Sequence, residues 1–192
     1  MSGKEDDDSS LVERFKTGDE AALEELIELH NEGLFRFIYW HLQDAHEASD
    51  VLSQTFYRAY SKRHRYRVRS DAKFQTWLYA IAANLCRDHL RKRKRRPGDF
   101  AAVLQESNLE NDGRLALEAA PDEEASLSEE IARLHQAIST LPPPLRDALI
   151  LFALEGHSQA ETAKKLGCTV RAVESRVRRA KRFLALKMTK ES

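Results

Sequence analysis

Apolar positions recur along this chain at intervals of three and four residues, the spacing that puts them on one face of a helix. Leu23, Leu26, Ile27, Leu34, Phe35 and Ile38 mark a first amphipathic helix, and Val51, Leu52, Thr55, Phe56 and Ala59 mark a second. A third runs from Phe74 to Leu90, with Trp77, Leu78, Ile81, Ala82 and Leu85 on one stripe. It continues into the basic run Arg91 to Arg96 and stops at Pro97-Gly98. From Pro97 to about Leu127 the periodicity lapses in an acidic stretch that reads as a linker. It returns with Ile131, Leu134, Ala137, Ile138 and Leu141, breaks at Pro142-Pro143-Pro144, and resumes through Leu145, Ala148, Leu149 and Phe152 to Gly156. Two short helices with marked ends follow. Ser158 and Glu161 have the spacing of a capping box, Gly167 suits a left-handed stop, and Thr169 can cap a helix striped by Val173, Val177, Ala180 and Leu184.

This pattern predicts an all-α protein of two small helical domains joined by an acidic flexible linker. The expected boundaries are a disordered acidic tail over 1–10, a first domain over 11–96, the linker over 97–127, and a second domain over 128–192 that contains a helix-turn-helix. A length of 192 residues with 42% hydrophobic and 32% charged positions fits that reading and excludes a large multidomain enzyme. No apolar run approaches the roughly 18 residues that a membrane span needs. Because the chain also opens on acidic, polar residues, neither membrane insertion nor export is expected, and a cytoplasmic location is. Cys86 and Cys168 lie far apart and outside any metal-ligand pattern, so neither a structural disulfide nor zinc is expected. Nothing points to a catalytic residue, metal or cofactor. His30, His41 and His46 lack the i, i+4 spacing of a helical metal pair, and there is no nucleophile motif and no glycine-rich phosphate loop. Surface or packing roles suit all three histidines.

Charge changes the picture further. The formal net charge of zero conceals blocks: −10 over 1–57, +12 over 58–96, −9 over 97–130, −1 over 131–163 and +8 over 164–192. Two basic surfaces separated by an acidic stretch suit a polyanion gripped at two places. In the free chain the acidic blocks are expected to fold back on the basic ones and compete with phosphates for them.

The last helix offers Arg171, Glu174, Ser175, Arg176, Arg178, Arg179, Lys181 and Arg182 around its narrow apolar stripe, the side chains with which a recognition helix reaches bases and phosphates. The plainer alternative is a solvated helix packed on its neighbour. In the first domain, Lys62 to Arg69 forms a loop-like basic stretch ahead of Phe74, Trp77 and Tyr79. Interleaved cations and aromatics suit a single strand with unstacked bases, although at least one of Phe74 and Trp77 is expected to be core.

Four segments in order, Thr17 to Ala22, Asp50 to Phe56, Phe74 to Leu85 with Asp88 and the basic run, and Leu141-Pro142 followed by the Val170 to Ala180 helix, resemble the extracytoplasmic-function (ECF) group of the sigma-70 family. The resemblance covers nearly the whole chain. It implies a non-enzymatic sigma factor in which region 2 and region 4 are present and region 3 is absent. The implied partners are core RNA polymerase, through its clamp helices and flap, and promoter DNA. Asp50, Gln54, Tyr57 and Arg58 would meet polymerase. Arg65, Arg67, Arg69, Lys73, Phe74, Trp77, Asn84, Arg87, Arg91 and Arg93 would melt and hold the −10 element. Arg171, Glu174, Ser175, Arg176, Arg178, Arg179 and Arg182 would serve the −35 element, with Glu174, Ser175 and Arg178 nearest the bases and Arg176 and Arg179 nearer phosphates. Members of the group are often held inactive by an anti-sigma factor, and no residue here identifies one. Many relatives have Gln-Glu where Ser53-Gln54 stands, and a basic residue at Glu174, which implies a different promoter sequence. The alternatives are a helix-turn-helix regulator acting without polymerase, which would not need the region-2 pattern, and a helical nuclease, which would need a metal-binding cluster.

Overall fold

A computed structural model describes the backbone of residues 3–66, 74–95 and 133–188, and the side chains of all of these except 3–9, 94–95 and 188. Every described element is helical. The first set comprises α1 (Gly3–Thr17), α2 (Glu20–Leu42), α3 (Ala45–Ser61), a single 3-10 turn (Arg63–Arg65) and α4 (Phe74–Arg95). The second comprises α5, described over 133–139, then α6 (Pro143–Leu149), which widens into a π-turn (Ile150–Leu154), α7 (Gln159–Leu166) and α8 (Val170–Met188).

Helix ends fall where the chain supplies partners for their free backbone groups. Asp19 caps α2 by accepting from the Ala22 amide at 3.2 Å, and Arg14 Nε, 2.8 Å from its other oxygen, ties the end of α1 to that corner. The Arg14 guanidinium and the capped amide together hold the Asp19 carboxyl below its ordinary value. Asp44 caps α3 through the Glu47 amide at 2.8 Å. Pro142 and Pro143 open α6, where a missing amide hydrogen costs nothing. The punctuation read in the sequence is present. Ser158 and Glu161 form a reciprocal capping box, Gly167 closes α7 at φ +60°, and Thr169 Oγ1 accepts from the Ala172 amide at 3.2 Å.

Two features depart from the sequence reading. The stretch expected as a disordered tail is helical in backbone from Gly3, and α1 carries Val12 and Phe15 into the core. The Phe15 ring meets Phe74 edge-on at 5.3 Å, so α1 closes the bundle of α2, α3 and α4. The two sets of helices, expected as modules on a tether, also share one hydrophobic cluster. It contains Phe37, Ile38, Leu78 and Cys86 from the first set and Ile138, Leu141, Ile150 and Leu151 from the second. A smaller cluster of Ala148, Ala163, Val173 and Val177 belongs to the second set alone and joins α6 to α7 and α8. The linker expected over 97–127 lies outside the described residues.

Candidate nucleic-acid interface

The helix-turn-helix is α7, a tight turn at Gly167 and Cys168, and α8. Val173, Val177, Ala180 and Leu184 are buried at intervals of four, three and four, which fixes the rotation of α8. That rotation leaves Arg171, Glu174, Arg178, Arg179, Lys181 and Arg182 exposed. Ser175 and Arg176 are half-buried, and Arg176 Nη1 lies 3.4 Å from Cys168 Sγ, so this guanidinium leans toward the turn. An arginine-rich outer face on an otherwise apolar-striped helix attracts a duplex through its phosphates and offers donors to base edges.

On α4 the aromatics divide. Phe74 is 4% exposed and packs with Phe15, Tyr66 and Trp77, so it belongs to the core. Trp77 is only partly buried, with Tyr66 5.0 Å away, and of this group it keeps surface for stacking. Tyr79 is buried between Phe37 of α2, edge-on at 5.2 Å, and Lys165 of α7, and burial raises its hydroxyl pKa well above the ordinary value. Asn84 and Arg87 are exposed and hydrogen-bonded to each other, and Arg91 pairs with Asp88 at 2.8 Å. Arg93 is turned inward, toward the Leu42 carbonyl at 3.3 Å and Glu47 at 3.5 Å. Arg65 is exposed, whereas Arg63 stacks over Tyr60 at 4.2 Å and donates to that residue's carbonyl at 3.0 Å. Arg67, Arg69 and Lys73 lie outside the described residues.

A separate face belongs to α3. Val51, Leu52, Thr55, Phe56 and Ala59 are buried, which leaves Asp50, Gln54, Tyr57 and Arg58 in a line on the opposite side. Tyr57 is 72% exposed, a large aromatic that buries little of its own surface in the chain. Sequence reasoning missed the end of α8, where Phe183 and Leu186 are exposed and line a shallow apolar groove with Thr140 and Lys187. Their departure from the Val173–Leu184 stripe was the available signal. Among the described residues no group of three or more His, Cys, Asp and Glu side chains is arranged to hold a metal, and no helix is long and apolar enough to cross a membrane.

Comparisons with known proteins match two segments of the chain. Residues 12–96 match the family described as Sigma-70 region 2, and residues 131–184 match Sigma-70, region 4. The chain is 35% identical to the RNA polymerase sigma-H factor of Pseudomonas aeruginosa over 178 residues, 92% of this chain and 91% of that one. It is 34% identical to the ECF RNA polymerase sigma-E factor of Escherichia coli over 177 residues, 91% of this chain and 90% of that one. Among solved structures, CnrH in complex with the cytosolic domain of CnrY matches 96% of this chain and 99% of its own with a TM-score of 0.61 at 23% identity. The sigma factor RpoE in complex with the anti-sigma factor NepR from Bartonella quintana matches 86% of this chain and 96% of its own with a TM-score of 0.52 at 22% identity. At these identities the two structures bear on the fold alone.

Proposed function

The chain belongs to the extracytoplasmic-function group of the sigma-70 family and is an alternative sigma factor of transcription initiation; from that premise we propose how its surfaces divide the work. Sigma factors are initiation factors rather than enzymes. The domain limits we propose are 11–96 for region 2, 97–127 for the linker and 128–192 for region 4. The exposed line Asp50, Gln54, Tyr57 and Arg58 on α3 docks on the clamp helices of core RNA polymerase. The groove at Phe183 and Leu186 takes the flap. Trp77 stacks on an unpaired base of the −10 element, with Arg65, Arg67, Arg69, Lys73, Asn84, Arg87 and Arg91 along the strand. Phe74 supports Trp77 from within the core, and Arg93 reaches DNA only by giving up Glu47. The outer face of α8 reads the −35 element through Glu174, Ser175 and Arg178, while Arg171, Arg176, Arg179 and Arg182 hold phosphates.

The observation that carries this reading is the separation of three faces. One exposed stripe on α3, one aromatic and basic face on α4 and one arginine-rich face on α8 each lie opposite a buried stripe, so no surface serves two partners. Two solved relatives in fold were captured with CnrY and with the anti-sigma factor NepR, and we extend to this chain a negative regulator of that kind. Pull-down with core polymerase, followed by run-off transcription on genomic fragments, tests the assignment. Specific transcripts that require both core enzyme and this chain, and that vanish with Trp77→Ala, are expected. DNA binding of equal specificity without polymerase, together with no transcript, would establish the stand-alone regulator instead.

A further inference from the structure

Aromatic side chains from α1, α4 and the 3-10 turn pack in series around the start of α4, and their exposure rises toward the surface. Phe15 is wholly buried, Phe74 is 4% and Tyr66 7% exposed, and Trp77 is half-buried. Phe74 meets Phe15 edge-on at 5.3 Å and Tyr66 edge-on at 5.4 Å, the latter with the ring planes 89° apart. Tyr66 then lies 5.0 Å from Trp77 with the planes only 36° apart, and Phe74 lies 5.8 Å from the same indole at 56°. All of these separations fall where aromatic pairs attract.

Tyr66 is not part of α4. It closes the 3-10 turn that follows α3, where its amide donates to the Arg63 carbonyl at 3.1 Å and its backbone is extended at φ −66° and ψ 117°. Arg63 stacks over Tyr60 at 4.2 Å, and Tyr60 meets Phe15 at 6.2 Å. A Cβ at Gly18, whose φ is +93°, would come within 3.3 Å of the Arg63 guanidinium, so the corner after α1 leaves room for that stack. The Tyr66 backbone is therefore anchored to α3 through the turn, and its ring is anchored to α1 through Phe74 and Phe15.

Helical geometry fixes where the Trp77 side chain leaves α4 but not the plane of its indole, because the torsions beyond the backbone still choose among several wells. The neighbouring rings make that choice. A base gains most from stacking on an indole that already stands in the stacking orientation, since the rotamer freedom has then been lost on folding and not on binding. Resting on the reading that Trp77 stacks an unpaired base of the −10 element, the geometry points to Tyr66 as the positioning residue of that stack. Its ring holds the plane of the indole, with Phe74 and Phe15 as backing, and leaves the outer surface of Trp77 to the base. Tyr66 is itself buried and acts only through Trp77.

Two readouts separate this role from general packing. The chain holds two tryptophans, and the other, Trp40, lies at the seam between the two sets of helices, edge-on to His135 at 4.6 Å. In the full-length chain with Trp40→Phe, emission reports Trp77 alone. Tyr66→Leu, which keeps an apolar side chain, should lower the emission anisotropy and raise quenching by acrylamide, whereas Tyr66→Phe, which keeps the ring, should change neither. In holoenzyme assembled with core polymerase, opening of a promoter recovered by run-off transcription is followed with 2-aminopurine in the −10 element. Tyr66→Leu should reduce opening about two- to tenfold and Trp77→Ala about fivefold or more, and Tyr66→Leu added to Trp77→Ala should reduce it no further. A weakened fold would bring its loss in either background. Unchanged anisotropy and quenching with Tyr66→Leu overturn the inference, as does opening that Tyr66→Leu leaves intact while Trp77→Ala lowers it. An equal loss for Tyr66→Phe, or the full Tyr66→Leu loss repeated in the Trp77→Ala background, overturns it too. Opening that Trp77→Ala leaves intact, while Tyr66→Leu still loosens the indole, overturns the promoter reading instead.

Discussion

At the scale of single residues, exposure and partner decide what each charged side chain is free to do. Glu174 stands on the outer face of α8 and can accept from a cytosine amino group, whereas Arg179 lies further along among cations suited to phosphates. Glu174→Arg is expected to change discrimination at one base pair of the −35 element by about 1 to 3 kcal/mol, while Arg179→Ala weakens all sites alike. Binding to a panel of single-base promoter variants separates the two. An equal change at every site for Glu174→Arg would show that this residue does not face bases. Arg146 behaves differently, because it is buried and its Nη2 donates to the carbonyl of Ser139, the last residue of α5, and, at 3.1 Å, to that of Leu141 in the turn that follows. Removing a buried donor leaves those carbonyls unpaired. Arg146→Leu should therefore cost about 1.5 to 3 kcal/mol in urea denaturation, with no change in which promoter variants are preferred.

At the scale of elements, the ends of α7 show how much was legible in the sequence. Ser158, Glu161, Gly167 and Thr169 were readable because capping chemistry is local: the donor and acceptor lie within three residues of each other. The buried stripe of α8 was equally readable from its period. By contrast α1 went unread, since Leu11, Val12 and Phe15 make too short an apolar run to stand out behind an acidic stretch, and only the rings of Tyr60 and Phe74 explain why Phe15 is buried. The inward turn of Tyr79 was also illegible, because a periodic stripe says that a side chain is buried and not by which helix. The capping box supplies a prediction of its own. Ser158→Ala should cost about 1 kcal/mol of stability. Hydrogen bonds from the Ser158 hydroxyl and amide hold the Glu161 carboxyl below its ordinary value of 4.5. A carboxyl lowered in the folded state stabilises above its unfolded pKa and loses that contribution as pH falls through the folded value. The stability difference between the unaltered chain and Glu161→Gln should thus be present at pH 7 and shrink progressively in denaturation series carried below pH 4.5. A difference that persists there would mean that packing, and not the charged cap, sets it.

At the scale of the whole molecule, two physical sources of compaction compete. The block charges of −10, +12, −9 and +8 lead one to expect folding back by long-range attraction between acidic and basic segments. Much of the acidic material, including 97–130, lies outside the described residues. What the described residues bring together is of another kind: a shared apolar cluster with Phe37, Leu78, Leu141 and Ile150, sealed by His41 with Asp147, Lys165 with Tyr79, and Arg36 with Glu155. These forces answer differently to salt. At 1 M the Debye length is about 3 Å, which erases attraction between solvated blocks, whereas apolar burial persists and pairs shielded from water are screened little. Closure through the seam should therefore survive 1 M sodium chloride, with the amides of α4 and α7 keeping their protection from hydrogen exchange, while Arg36→Glu should expose them at every ionic strength. Loss of that protection in salt alone would show that the charge blocks hold the free chain together and that the seam merely follows.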